Sequence, residues 1–397
     1  MSNALYIQSG GPTAVINSTA YGVISACQKH SDQIGRLYAA EHGLTGVISG
    51  LLYDLSLERT EQLKLLEQTP SMVFGSCRHM VSDEDCEKIL DTLRRFSIRY
   101  IFMNGGNGSV RGCLQLYDFL ARSGYDCRII EIPKTVDNDI SRIDHAPGFP
   151  SAARHLIISI SELVQDMQVY DTDLIMVAEV MGRNSGYLAA STLAAGATGF
   201  GPDLIYVPET VFEQERFIRD ISEVTARKGK CFAVVSEGVK DHSGHYLFEG
   251  FTINQSKNPI LNMGGITPYL SQLLRRNFSC KIRCIDMGLM QRCAAHNVSP
   301  VDQKEAALLG ENAVLAALDG ISGKMISLRR FSNHPYRTET VLVDLKEVAA
   351  STASLPLSYI NSSQNGIDPS FLDYILPLVG NLPQYASLKK IVAQCDA

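Results

Sequence analysis

Short apolar runs that break at glycine turns and give way to helix-period stretches recur along this chain. That rhythm restricts it to an α/β fold built on mainly parallel strands. Residues 4–8 form the first such run. It breaks at Ser9-Gly10-Gly11-Pro12-Thr13, and residues 14–29 follow with Val15, Thr19, Val23 and Cys27 on one helical face. Strand, glycine turn and helix in that order aim backbone N–H groups and a helix N-terminus at one point, which makes an anion site. Residues 100–103 repeat the arrangement, with Asn104-Gly105-Gly106-Asn107-Gly108-Ser109 as the turn and a helix expected over 110–122. Further buried strands are expected at 36–40, 174–180, 204–207, 231–235 and 282–287, with helices over 83–96, 211–228 and 302–318 and within 145–168. The last seventy or so residues alternate short strands and turns, with a helix near 369–376.

A length of 397 residues suggests two or three domains, with ample chain for buried sheets. A net charge of −6 argues against nucleic acid or an anionic membrane as the main partner. No apolar run approaches the span of a bilayer and no charged-then-apolar leader precedes the first strand, so a cytoplasmic location is expected. Ten cysteines without a CxxC pair, and nine histidines without an HExxH pattern, point to buried thiols and no dedicated zinc site.

The chemistry concentrates after the run at 129–132, which ends at Pro133 and opens into Lys134, Thr135, Asp137, Asn138 and Asp139. Two carboxylates two residues apart, beside a hydroxyl and an ammonium, suit activation of a hydroxyl next to a metal-bound phosphate. Ligands of open α/β sheets gather at such strand ends. An ordinary polar turn accounts for Asp-Asn-Asp by itself equally well, so the neighbours decide. Arg78 closes a small-residue turn and could clamp phosphate oxygens. Arg183, in Met181-Gly182-Arg183, ends a strand between residues that permit close backbone approach. Glu237 ends another strand, where a carboxylate can hold sugar hydroxyls. Each of these alone is also what a surface turn carries. Gly106, Gly108 and Gly112, with Glu131 at the end of the next strand, additionally resemble a dinucleotide fingerprint and keep a nicotinamide-dinucleotide oxidoreductase as an alternative. Two anion-binding turns converging on an acidic cluster suit phosphoryl transfer better.

Together these motifs resemble the phosphofructokinase family. The resemblance is carried by Gly10-Gly11, Gly75-Ser76-Cys77-Arg78, the turn 105–109, the segment 133–139, Met181-Gly182-Arg183, Pro208-Glu209, Ser236-Glu237-Gly238 and Gln291-Arg292, over roughly residues 4–320. The start at 10–17 and the stretch 291–296 look like the non-allosteric branch, which uses ATP or pyrophosphate. The resemblance implies two Rossmann-like three-layer α/β domains facing across a cleft: 1–140 plus about 255–305 for the phosphoryl donor, about 141–254 plus about 306–325 for fructose 6-phosphate, and about 326–397 as an extension packed on the core. It implies transfer to the 1-hydroxyl of fructose 6-phosphate with Asp137 as base, Thr135 and Lys134 at the transferring phosphoryl, and Asp139 with Asn107 near Mg2+. Arg183 with Gly182 would sit at the transition state, and these two with Met181, Glu237, Arg283, Arg292, Thr135 and Asp137 would hold the sugar phosphate. Gly11, Arg78, Gly106, Asn107, Gly108 and Ser109 would line the donor. Family members are dimers or tetramers, and a homodimer or homotetramer is expected.

Four departures from the family pattern stand out. Asn107 occupies a position where most members carry an aspartate, the one feature in favour of a non-catalytic regulatory subunit. Tyr21 and Ser25 replace effector-binding arginines, Leu174 replaces a basic residue and Leu289 a histidine. On the donor, two positions disagree. Pyrophosphate users typically carry aspartate at position 108, filling the space of a nucleotide α-phosphate, whereas Gly108 leaves it open. Lys134 is typical of pyrophosphate users but also occurs with ATP. ATP is therefore the expected donor and pyrophosphate the alternative.

Overall fold

The computed structural model describes residues 1–79, 81–247, 265–386 and 388. The described residues build two sheets. The larger has the order β11-β10-β5-β4-β1-β2-β3, from β1 (Ser2–Gln8), β2 (Ile34–Ala40), β3 (Leu52–Asp54), β4 (Ile98–Gly105), β5 (Arg128–Pro133), β10 (Lys324–Asn333) and β11 (Tyr336–Asp344). Its five central strands are parallel, with β3 and β11 antiparallel at the edges. The smaller, wholly parallel sheet has the order β7-β8-β6-β9, from β6 (Leu174–Val180), β7 (Leu204–Tyr206), β8 (Lys230–Ser236) and β9 (Lys281–Asp286). Buried apolar clusters cover both faces of each sheet, which is why the central strands read as continuous apolar runs.

In the larger sheet β2 lies on one side of β1 and β4 on the other, so the strand order reverses between β1 and β4. The turns after these two strands diverge and leave a crevice at their carboxyl ends. The helix after β4 starts at Asn107, three residues earlier than its apolar periodicity suggests, and runs to Arg122. Asn107, Gly108 and Ser109 therefore form its first turn; the Ser109 N–H donates to the Gly106 carbonyl at 2.8 Å, while those of Asn107 and Gly108 have no intrahelical partner.

The sheets draw on the chain differently from the expected division. Strand β9, in the stretch assigned to the donor side, pairs with β6 in the smaller sheet. The helix Pro300–Leu318 packs along Ile16–Lys29 on the larger sheet, at a crossing where Gly22 and Gly310 leave no room for a Cβ. Strand β10 then pairs with β5. The stretch expected as a packed-on extension instead supplies β11 to the larger sheet. It also supplies the helix Phe371–Val379, whose Phe371, Ile375, Leu378 and Val379 are buried in the core beside β6. A strand's pattern shows that it is buried, not which sheet it joins.

Candidate active site

The turns after β1, β4, β5, β6 and β8 open onto one cleft of about 740 Å3. On the larger-sheet side it is floored by Gly11, Gly106, Lys134, Thr135, Asp137 and Asp139; from the smaller-sheet side Met181, Arg183, Glu237 and Arg292 face it.

Lys134 is buried, 2% exposed, and pins the first turn to the third strand end: its Nζ donates to the carbonyls of Ser9 at 2.8 Å and Gly11 at 2.6 Å. Its own N–H donates to the Gly105 carbonyl at 2.8 Å, so one residue ties together three strand ends. Burial pushes its pKa down to about 8, and Glu131, Asp137 and Asp139 oppose that shift. Asp137 is half-buried, and its N–H donates to Thr135 Oγ1 at 3.1 Å. Burial first, then the charges of Asp139 and Glu237, push its carboxyl up to about 7, with Lys134 and Arg183 pulling the other way. Burial also raises Asp139, against hydrogen bonds from Asn107 and Thr135. Groups from both sheets thus feel one another across the cleft, and a carboxyl near 7 is suited to accept a proton at neutral pH.

The backbone of the smaller-sheet side is locked by hydrogen bonds. Ser236 Oγ donates to the Gly182 carbonyl at 2.6 Å, the Glu237 N–H to Val180 O at 2.9 Å, and the Met181 N–H to Gln291 Oε1 at 2.9 Å. A Cβ on Gly238 would lie 2.0 Å from the Arg183 carbonyl, so only glycine lets the Arg183 and Glu237 turns meet. Burial raises the Glu237 carboxyl, with the Gly182 N–H and Arg183 opposing.

The side chains of Asn107 and Asp139 offer oxygens of the kind a divalent metal takes. Asn107 Nδ2 donates to the Asp139 carbonyl at 3.1 Å, leaving the amide oxygen without a protein partner among the described residues. Among the described residues no three His, Cys, Asp or Glu side chains gather as a metal cage. Magnesium typically takes only one or two carboxylates, with phosphates and waters completing its shell.

A model of the phosphofructokinase family matches residues 3–317. The chain belongs to the phosphofructokinase family. It is similar to pyrophosphate–fructose 6-phosphate 1-phosphotransferase of Halomonas elongata, 34% identical over 405 residues covering 98% of this chain and 96% of the relative. An ATP-dependent 6-phosphofructokinase of Chloroflexus aggregans is 29% identical over 339 residues, covering 81% of this chain and 86% of that one. The crystal structure of a pyrophosphate-dependent phosphofructokinase from Marinobacter aquaeolei superposes with a TM-score of 0.87 at 32% identity, over 98% of this chain and 94% of that chain.

Measured against this phosphofructokinase fold, most of the expected site residues meet in the cleft. Arg78 lies at its exposed rim, and Asn107, Gly108 and Ser109 line it from the larger sheet. Gly182 lies behind the lining, under Arg183, with φ +127°. Arg283 is not part of the cleft: it is exposed on β9, the edge strand of the smaller sheet. Glu131, the expected ribose-binding acid of the oxidoreductase alternative, is wholly buried beneath the helix Asn107–Arg122 beside Cys113, with its carboxyl well above the usual range because of burial. It has no access to a ribose. Sequence reasoning missed Leu44, Val81 and Met103, which surround Gly112 and line the same cleft. Each reads simply as core. No helix among the described residues is long and apolar enough to cross a membrane.

Proposed function

We propose that this chain transfers a phosphoryl group from ATP to the 1-hydroxyl of fructose 6-phosphate, giving fructose 1,6-bisphosphate. The observation that carries this reading is the meeting of Asp137 and Asp139 from one sheet with Arg183, Glu237 and Arg292 from the other, across one cleft. Asp137 accepts the proton of the attacking hydroxyl. Arg183 lies within electrostatic reach of Asp137 and neutralises charge on the group in transfer. Glu237 and Arg292 hold the sugar phosphate from the facing wall. Lys134 holds the donor turn in register, and the N–H groups of Asn107 and Gly108 at the helix start receive phosphate oxygens. Asp139 and Asn107 would hold magnesium, which when bound neutralises donor phosphate charge and orients it. The protein's part is positioning and charge stabilisation, as phosphoryl transfer requires.

ATP as donor is supported by open space. A Cβ on Gly108 would meet nothing within 4 Å. Beyond it the cleft continues to the apolar patch of Leu44, Val81 and Met103 around Gly112, room that pyrophosphate leaves unused. Pyrophosphate is the second reading, favoured by Lys134 in the cleft floor and by the names of the Halomonas and Marinobacter relatives. Initial rates with fructose 6-phosphate and magnesium, at matched ATP and pyrophosphate concentrations, test the donor. ATP turnover without pyrophosphate turnover is expected, and the reverse overturns it. Asp137→Asn is expected to abolish turnover and keep sugar-phosphate binding; full activity would overturn the assignment of the base.

A further inference from the structure

The family model ends at residue 317, yet a group beyond that point reaches the acidic turn. Asn138 stands between the two cleft carboxylates with φ +55°, a left-handed conformation that asparagine tolerates better than other residues bearing a side chain. It is 4% exposed and its amide is fastened at both ends. Oδ1 accepts from the Ala146 N–H at 2.8 Å, and Nδ2 donates to the Tyr374 hydroxyl at 2.9 Å. That hydroxyl donates onward to the Asp144 carbonyl at 2.9 Å, closing a ring of hydrogen bonds around the turn.

The tyrosine itself is immobilised. Its ring packs against Phe149, Tyr187, Tyr359 and Phe371. The Arg330 guanidinium sits 4.7 Å from its centroid and also bonds the Asp144 carboxylate. Packing therefore fixes the hydroxyl, and the hydroxyl fixes the amide. A separate brace, the Ala353 N–H on the Asp139 carbonyl at 2.8 Å and a bridge between Ile140 and Thr352, holds the far side of the turn independently of Tyr374.

We propose that Tyr374 is a positioning residue for phosphoryl transfer: through Asn138 it sets the backbone turn that aims Asp137 and Asp139 into the cleft. This rests on the transfer role assigned to those two carboxylates. Removing the hydroxyl leaves the ring packing and the second brace in place, so the turn relaxes without unfolding. The reacting geometry suffers while the sugar-binding wall, carried by the other sheet, does not.

The test compares Tyr374→Phe with Tyr359→Phe, which removes a hydroxyl in the same aromatic cluster that makes no hydrogen bond to the turn, and with Asp137→Asn. Displacing reacting groups by ~1 Å costs on the order of 100-fold; a partly braced turn moves less, so Tyr374→Phe is expected to lower kcat about tenfold. KM for fructose 6-phosphate should stay within about twofold, and Tyr359→Phe should leave both unchanged. A wild-type kcat in Tyr374→Phe, or an equal loss in Tyr359→Phe, overturns the proposal while inactive Asp137→Asn leaves the transfer reading standing. A fully active Asp137→Asn overturns both.

Discussion

Two glycines in the cleft turns face opposite conditions, and replacing each by alanine separates steric from chemical necessity. At Gly238 a Cβ would stand 2.0 Å from the Arg183 carbonyl oxygen and 2.6 Å from that of Gly182. Both obstacles are backbone and neither can swing aside. Reaching 3.0 Å, below which real Cβ contacts essentially never fall, requires the Arg183 and Glu237 turns to part by at least 1.0 Å. Gly238 is not in the left-handed region, so no backbone strain adds to this. A displacement of that size at a reacting centre costs about 100-fold, or about 2.7 kcal/mol of barrier. Overpacking also lowers stability by about 1–3 kcal/mol. At Gly108 the same methyl meets no protein atom within 4 Å, so Gly108→Ala should fold like the parent and keep its KM for fructose 6-phosphate, with any loss appearing in KM for ATP. The assay is kcat/KM for fructose 6-phosphate in both variants, with circular dichroism to establish that Gly238→Ala is folded. A folded Gly238→Ala with kcat/KM within threefold of the parent would refute the argument that the two turns are held at their closest possible approach.

Further outcomes follow from the charges. With Asp137 as the proposed base and burial raising its carboxyl to about 7, kcat/KM should fall along an acid limb centred near pH 7; a limb below pH 5 would remove burial as the controlling influence. His145, buried between Asp144 and Glu305 at 2.7 and 2.8 Å, has its pKa raised to about 9 by hydrogen bonds and charge from these two acids against the cost of burial. The stability it contributes is complete below about pH 6.5 and lost as pH rises through 9. Urea unfolding should therefore show a decline over that window of about 3 kcal/mol, absent in His145→Gln. Glu209 Oε1 accepts from both Gly186 N and Leu355 N at 2.8 Å, so Glu209→Ala should cost about 2–4 kcal/mol in urea unfolding while Glu209→Gln, which keeps an acceptor there, costs far less. Chelating magnesium should abolish turnover, and Asp139→Asn should raise the magnesium concentration for half-maximal rate.

The strand ends were legible because buried parallel strands are near-continuous apolar runs and their glycine turns stand out. They placed Asp137, Asp139, Arg183 and Glu237 at strand ends, and the resemblance to the family joined these with Arg292 in one cleft. Three things were not legible. Arg283 looked like its neighbours, but a strand sequence does not reveal whether it lies at a sheet's edge. Glu131 is also near a strand end, yet it points under a helix rather than toward the crevice, since side chains alternate along a strand. Tyr374 sits in an apolar helix where an aromatic reads as core; its hydroxyl gains meaning only from a hydrogen bond spanning 236 residues of sequence.

The return of the chain to its first sheet also governs how the molecule is made. Strand β5 finds its neighbour β10 only after the 190 residues between Pro133 and Lys324 have been synthesised. At about 5–20 residues per second, the ribosome leaves that interior edge unpaired for roughly 10–40 s. During that time the apolar strand Arg128–Pro133 is an open template for any other extended chain. The same interleaving that brings the two halves of the cleft together thus lengthens the time for which this strand edge is open during synthesis.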